Sequence, residues 1–258
     1  MTFHVIIPAR YGSTRLPGKV LADIQGRPML RHVYDNARAS GAERVVVATD
    51  SERVAEACRA FGGELCMTSR EHPTGTDRLA EAAQRLGLAD DAVVVNVQGD
   101  EPLLPQQLIH QVANDLATHG DADIATLCEP VRSAGELFDP HVVKVVRDAA
   151  GYALYFSRAP IPWHRDGFSA TERQLPPGGS HYRHLGLYAY RVAYLRFFAS
   201  HPPCEVERLE SLEQLRALHG GHRIHVAVAL TPPGMGVDTP EDLERVRGMI
   251  ERRGIREQ

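Results

Sequence analysis

The strongest constraint on the fold is an alternation in the first hundred residues. Short β-branched runs stand at residues 5–7, at 45–48 ("VVVA") and at 93–97 ("VVVNV"). Two stretches with helical patterning fill the gaps: "PMLRHVYDNARASG" from Pro28 and "SERVAEACRAFGG" from Ser51. A third helix is predicted over 76–86, after Gly75. A strand with one wet face alternates apolar and polar residues. These runs do not alternate, so both faces of each strand are buried and helices must cover both sides of the sheet. The expected class is therefore α/β: a mostly parallel, twisted, Rossmann-like sheet with helices on both faces. Ser51 is placed to cap its helix and Gly62 to end it. Ligands of such sheets bind outside the carboxyl ends of the strands. That puts the loop from Arg10 to Lys19, Asp50, and the "QGDEP" of residues 98–102 on one rim.

The middle of the chain changes character. Residues 141–158 read as two strands around a turn at 148–151, and a polar, Pro/Gly-rich loop follows at 166–180. This part is expected to form an antiparallel extension, a substrate lid or a dimer surface. "EVERLESLEQLRALHGG" then reads as one helix, residues 224–229 as a strand, and the stretch from Pro240 as a last helix. At 258 residues the whole is expected to be a single domain. A net charge of -4 argues against a nucleic-acid partner, so any positive site is local and built for a small ligand. The four cysteines lie far apart with no CxxC pair, which points to reduced thiols. Pro8 and Arg10 interrupt the opening apolar run, so neither a signal peptide nor a membrane span is expected, and the chain reads as soluble and cytoplasmic.

The first loop carries Arg10, Arg15 and Lys19 on a backbone loosened by Gly12 and Gly18. Three cations in ten residues suit a polyphosphate, and glycines let backbone N–H groups approach the same oxygens. A solvated basic loop has the same composition. Neither standard phosphate motif applies. Gly18-Lys19 is followed by Val20, which breaks GxxxxGK[ST], and Gly12 has no partner at Thr14, which breaks GxGxxG. Without that glycine pattern, Asp50 after "VVVAT" is not a cofactor-ribose ligand; with Ser51 it begins the next helix.

Two acids stand out. Asp100, in "NVQGDEP", is delivered to the rim by a buried strand, although turn chemistry alone explains its glycine and proline neighbours. In "GVDTPEDL", Thr239 as cap, Pro240 at the first helical position and Asp242 account for a helix start, which leaves Asp238 unexplained. "HPTGTDR", residues 72–78, supplies hydroxyls and one cation, or simply opens a helix. Glu207, Glu210 and Gln214 recur at helical spacing and are expected to share one face.

Six stretches, "VIIPARYGSTRLPGK", "HPTGTDRLAEA", "NVQGDEPLL", "YALYFSRAPIPW", "RHLGLYAYR" and "GVDTPEDLERV", occur in order along nearly the whole chain. Together they resemble the 3-deoxy-manno-octulosonate cytidylyltransferases, or CMP-Kdo synthetases. Those enzymes couple CTP with the acidic sugar Kdo, giving CMP-Kdo and pyrophosphate for lipopolysaccharide assembly.

The resemblance implies roles residue by residue. Arg10, Lys19, Asp100 and Asp238 would be catalytic. Ala9, Arg10, Ser13, Arg15, Lys19, Thr76, Arg78, Gln98 and Asp100 would bind the nucleotide, with Thr76 and Arg78 beside the cytosine. Asp100 and Asp238 would hold Mg²⁺. Gln98, Arg158, Arg165, His184, Glu210 and Gln214 would contact the sugar. The nucleotide part would take in about 1–130 and 223–258, and the part for the sugar and a homodimer contact about 131–222. The chain departs from the pattern at Asp77, where glutamate is commoner, and at Arg208, where histidine is. The loop at 168–180 also diverges. Other readings are an amino-substituted Kdo as substrate, a sialic-acid cytidylyltransferase, or a non-catalytic nucleotide binder. Lys19-Val20 departs from the Lys-Asn of the sialic-acid enzymes, and a base binder needs neither aspartate.

Overall fold

Strand β1 (His4–Pro8) is the centre of the sheet, with a parallel neighbour on each side: β4 (Arg44–Thr49) and β6 (Val93–Asn96). Burial on both faces follows, and Val5, Ile6 and Ile7 are each fully buried. The computed structural model describes residues 1–12, 16–168, 174–176, 178 and 181–256, without the side chains of 253–256. Between β1 and β4 come a two-residue ribbon, β2 (Asp23–Ile24) with β3 (Arg27–Pro28), and helix α1 (Met29–Ala39). Helix α2 (Glu52–Ala60) leads to β5 (Glu64–Met67), parallel to β4, and α3 (Gly75–Arg85) returns the chain to β6. Helix α4 (Gln106–Thr118), β7 (Ile124–Pro130) and the short α5 (Ala134–Phe138) follow.

Side chains alternate along these strands, and each set meets its own layer of helices. Val5, Ile7, Val45, Val47 and Val95 pack in one core with residues of α1, α2 and α4. Ile6, Val46 and Val94 pack in a second, with α3, with α6 (Val192–Ser200) and with α8 (Gln214–His219). Helices therefore cover both faces, as the uninterrupted apolar runs require.

The hairpin forms as expected, from β8 (Lys144–Arg147) and β9 (Ala153–Ser157). The next strand, β10 (Tyr182–Arg191), is not confined to an extension. It enters the main sheet between β6 and β7, antiparallel to both, and its first residues also pair with β8. Hydrogen-bond partners on both edges hold it inside, so the middle of the chain completes the central sheet. Strand β11 (Ile224–Val228) adds parallel to β7 at the far edge.

Two local expectations are corrected. The stretch after Cys204 is not one helix: α7 (Glu205–Glu210) ends where Ser211 adopts a left-handed φ of 51°, and α8 starts after it. Glu207 and Glu210 remain together on α7, but Gln214, on α8, does not share their helix face. Ser51 precedes α2 but makes no side-chain cap bond; its amide instead donates to Thr49 Oγ1 at 3.2 Å. Gly62 does end that helix, with φ at 72°. Helix α9 (Pro240–Arg256) closes the fold, docking through Leu243 and Val246 on Ile24, Met29 and Leu103.

Candidate active site

From β1 the chain moves outward on one side to β4 and β5, then returns to the other side of β1 with β6. A crevice opens at such a reversal, outside the carboxyl ends of the strands. Arg10 leaves β1 there, and Gln98 and Asp100 leave β6 there. Gly99 permits the approach: a Cβ at this position would stand 3.3 Å from Pro8 O and from Val20 Cγ1.

The first loop folds back on itself. Gly18 takes a left-handed φ of 70° and donates its amide to Tyr11 O at 3.0 Å, so that N–H is not free for a phosphate as expected. The short 3-10 turn Lys19–Leu21 follows and aims Lys19 across the crevice. Its Nζ lies 2.5 Å from Asp100 Oδ2 and 3.1 Å from Asp238 Oδ1, and it donates to Val237 O at 3.1 Å. Burial opposes the ammonium charge, but the bonds to Asp100 and Asp238 outweigh it and hold Lys19 above its usual range. The two acids reach one point because Val237 N donates to Asp100 O at 2.9 Å, which ties their segments together. Thr239 Oγ1 accepts from Asp242 N at 3.2 Å, and the Asp242 carboxylate accepts from the amides of Asp238 and Thr239 at 3.1 and 2.9 Å. Thus the start of α9 holds Asp238 in place. Next to the pair, burial and then the charges of Asp100 and Asp238 push the Glu101 carboxyl up to about 7.

This donor set fits magnesium. Two hard carboxylates converge on a single cationic group, and Mg²⁺ takes one or two carboxylates together with phosphate oxygens and water.

On the same rim of the sheet lies a cavity of about 240 Å³ that includes Arg10, Thr76, Arg78, Asn96, Gln98 and Glu213 in its lining. Arg10 is exposed there. Ala9 is buried, and its amide is used on Ala48 O at 2.9 Å, which leaves only its carbonyl for a ligand. The Arg78 guanidinium is committed to the protein, bonding Thr68 Oγ1, Ser69 O at 3.3 Å and, at 3.4 Å, Asp50 Oδ2. It forms wall rather than an open donor, and Asp50 is its counter-ion. Thr76 donates to Glu213 Oε2 at 2.7 Å, and burial raises the Glu213 carboxyl above its ordinary range. Glu213 escaped the sequence reading, because assuming one helix grouped its neighbours instead. Only the break at Ser211 turns it into the cleft.

A second cavity, about 200 Å³, shares Thr76, Asn96, Gln98 and Glu213 with the first and adds Tyr188 and Gln214. A third, about 370 Å³, borders the aspartate pair through Glu101 and Gly236 and includes Arg183 and His184. His184 Nε2 lies 3.0 Å from Thr126 Oγ1, whose hydroxyl hydrogen goes to Leu187 O at 2.8 Å. The imidazole is therefore the donor to Thr126. Burial lowers its pKa to about 3, so the ring is neutral.

Arg158 and Glu210 meet each other. The Glu210 carboxylate accepts from Ser157 Oγ at 2.6 Å and Arg158 N at 2.9 Å, and Arg158 Nε donates to Glu210 O at 2.7 Å. Arg165 is exposed and lines none of the three cavities. Ser13 and Arg15 lie outside the described residues, as does much of the 168–180 loop. Among the described residues, Asp115, His119 and His225 form a separate group of metal-type donors at the opposite end of the sheet. The two imidazoles stack 3.6 Å apart at 16°, so their in-plane lone pairs do not converge on one ion.

The sequence profile of the family described as "Cytidylyltransferase" matches residues 4–224. A relative from Hahella chejuensis, named 3-deoxy-manno-octulosonate cytidylyltransferase, is 58% identical over 248 residues, 96% of this chain and 97% of its own. The chain belongs to this family. A Pseudomonas fluorescens relative with the same name is 59% identical over 249 residues, 96% of this chain and 98% of its own. Among solved structures, a CMP:2-keto-3-deoxy-manno-octonic acid synthetase complexed with CTP superposes with a TM-score of 0.88 at 40% identity, covering 98% of this chain and 100% of that one. A cytidylyltransferase from Leptospira borgpetersenii, 17% identical with a TM-score of 0.63, covers 98% of this chain and 87% of its own and shares the fold. Among the described residues, no helix is long and apolar enough to cross a membrane.

Proposed function

We propose that the chain couples CTP to 3-deoxy-D-manno-octulosonate, releasing pyrophosphate and giving CMP-Kdo for lipopolysaccharide assembly. The observation that carries this reading is the meeting of Lys19, Asp100 and Asp238 at the switch-point crevice, between a cavity sized for a base and others lined by polar side chains. The anomeric hydroxyl of the sugar attacks the α-phosphorus directly and pyrophosphate leaves. No side chain among the described site residues is placed as a covalent nucleophile. Arg10 and Lys19, with Arg15 and Ser13 of the same loop, neutralise and hold the triphosphate. Asp100 and Asp238 would hold Mg²⁺, which when bound would offset phosphate charge, and Lys19 between them would add its own positive charge toward the phosphates. Positioning and fixed charge carry most of such a reaction.

Ala9, Thr76 and the wall formed by Arg78 frame the base. On the sugar side Gln98, Gln214 and Glu213 face hydroxyls, the neutral His184, its N–H spent on Thr126, accepts a hydrogen bond at Nδ1, and Arg158 and Arg165 supply positive charge for the sugar carboxylate. Glu210 acts there by anchoring Arg158. The enzyme works as a homodimer in the cytoplasm: among the described residues β9 pairs only with β8 and exposes Leu154 and Tyr155, and the structure contains four unpaired cysteines.

A pyrophosphate-release assay with CTP, Kdo and Mg²⁺ tests the reading. Asp100→Asn and Asp238→Asn should each lower kcat by roughly 10²–10³ with little change in melting temperature. No release from the wild type overturns the proposed reaction. Full activity in both variants removes the metal scheme alone.

A further inference from the structure

Lys144, at the start of β8, is completely buried, a rare state for a lysine. All three of its donors go to main-chain carbonyls: Asp139 O at 2.9 Å, Val142 O at 2.5 Å and Arg158 O at 2.5 Å. An unpaired cation in the interior is costly, and an apolar chain of the same length would fill the space without that cost. The ammonium therefore has a task that packing does not supply.

The three carbonyls belong to two separate segments. One is the 139–142 turn, from which His141 and Val142 line the 370 Å³ cavity beside Glu101 and His184. The other is the exit of β9, which carries Arg158. The Arg158 guanidinium spans the same seam from above, donating to Pro140 O at 3.0 Å and to Glu210 O at 2.7 Å.

We propose that Lys144 is a positioning residue for the sugar half of the reaction: its ammonium locks Arg158 and the cavity wall at 139–142 into one arrangement, which an acidic sugar then meets preformed. This rests on the reading of Arg158 as a sugar contact. Lys144 touches no substrate itself. The charged groups around it are Asp139 and Glu210, which favour its protonation, and Arg158, which opposes it; burial is the largest effect and lowers its pKa below the usual lysine range. A neutral amine keeps only two donors for three carbonyls. The clamp should therefore loosen in alkaline solution before exposed lysines titrate.

The test is a double-mutant cycle on the full-length protein, using Lys144→Met, Arg158→Ala and the double variant. Kdo and CTP are varied separately, and the CTP dissociation constant of each sample is measured as a check on folding. Lys144→Met should raise KM for Kdo about tenfold, leave the CTP constants within about twofold, and add little once Arg158 is gone. It should also remove the alkaline rise in the Kdo KM. If Lys144→Met does not fold, Lys144→Gln, which retains two donors, should show a smaller rise of the same selectivity. An unchanged Kdo KM in the folded Lys144 variant while Arg158→Ala raises it, or Kdo and CTP constants worsening together, overturns the positioning role alone. An unchanged Kdo KM in Arg158→Ala overturns the sugar-contact reading on which that role stands.

Discussion

Charge at the scale of single residues is distributed by neighbours that sequence distance hides. Lys19, from the first loop, is clasped by Asp100 and Asp238 and keeps its proton because of them. His184 shows the opposite balance. Its ring is enclosed by Thr126, Phe156 and Tyr188, with burial holding its pKa near 3 against an ordinary 6.5. As pH falls through 6.5 the unfolded chain takes up a proton at this residue and the folded chain does not. Stability should therefore be lost progressively between about pH 6.5 and 3, by up to about 1.4 kcal/mol per pH unit. Denaturant melts of His184→Asn should show a flatter acid slope than the wild type; equal slopes would remove the assignment of a neutral buried imidazole. The motifs carrying Asp100 and Asp238 were legible in the sequence, because strand and cap patterns left both acids without a structural duty. Glu213 was not legible, since its exposure to the cleft depends on one residue, Ser211, adopting φ of 51°.

Individual elements matter here mainly through their ends. Helix α9 docks on a small core of its own and starts with a side-chain cap at Thr239, and Asp238 hangs from that first turn. Removing the cap should therefore affect both stability and catalysis. Thr239→Ala should cost about 1 kcal/mol, or a fall of about 2–4 °C in Tm, and should lower kcat more than the melting shift accounts for. A melting shift with unchanged kcat would mean that the Thr239 cap does not set the position of Asp238, which the Asp242 carboxylate and Lys19 then hold without it. The cap was readable from "DTPED", and so were the helices α1 and α3 from their periodicity. The break between α7 and α8 was not, because no glycine or proline marks it and a serine at a left-handed φ carries no local signal.

At the scale of the whole molecule, the sheet, nine-stranded among the described residues, is completed by β10, which brings His184 and Tyr188 into line with β6, from whose end Gln98 and Asp100 emerge. The sheet leaves β9 as an outer strand, with Leu154 60% exposed and Leu230, beyond β11, 78% exposed. An apolar edge of this kind is a liability unless another chain covers it. In sedimentation the wild type should run at twice its 28.4 kDa, and Leu154→Glu should shift it toward the monomer. A monomeric wild type would leave that edge without the partner proposed for it.

By itself the sequence determined the α/β class, the hairpin, the principal helices, the acids at 100 and 238 and the kinship with cytidylyltransferases, because each is written in local periodicity or in short runs of residues. Only the tertiary structure decided that Lys19 bridges the two acids, that Arg78 is spent on Asp50 and Thr68, that Arg158 and Glu210 bind each other, and that β10 lies inside the main sheet. Those choices are pairings between remote segments. They are set by which buried polar groups find partners once the strands have closed together, and no local pattern records that competition.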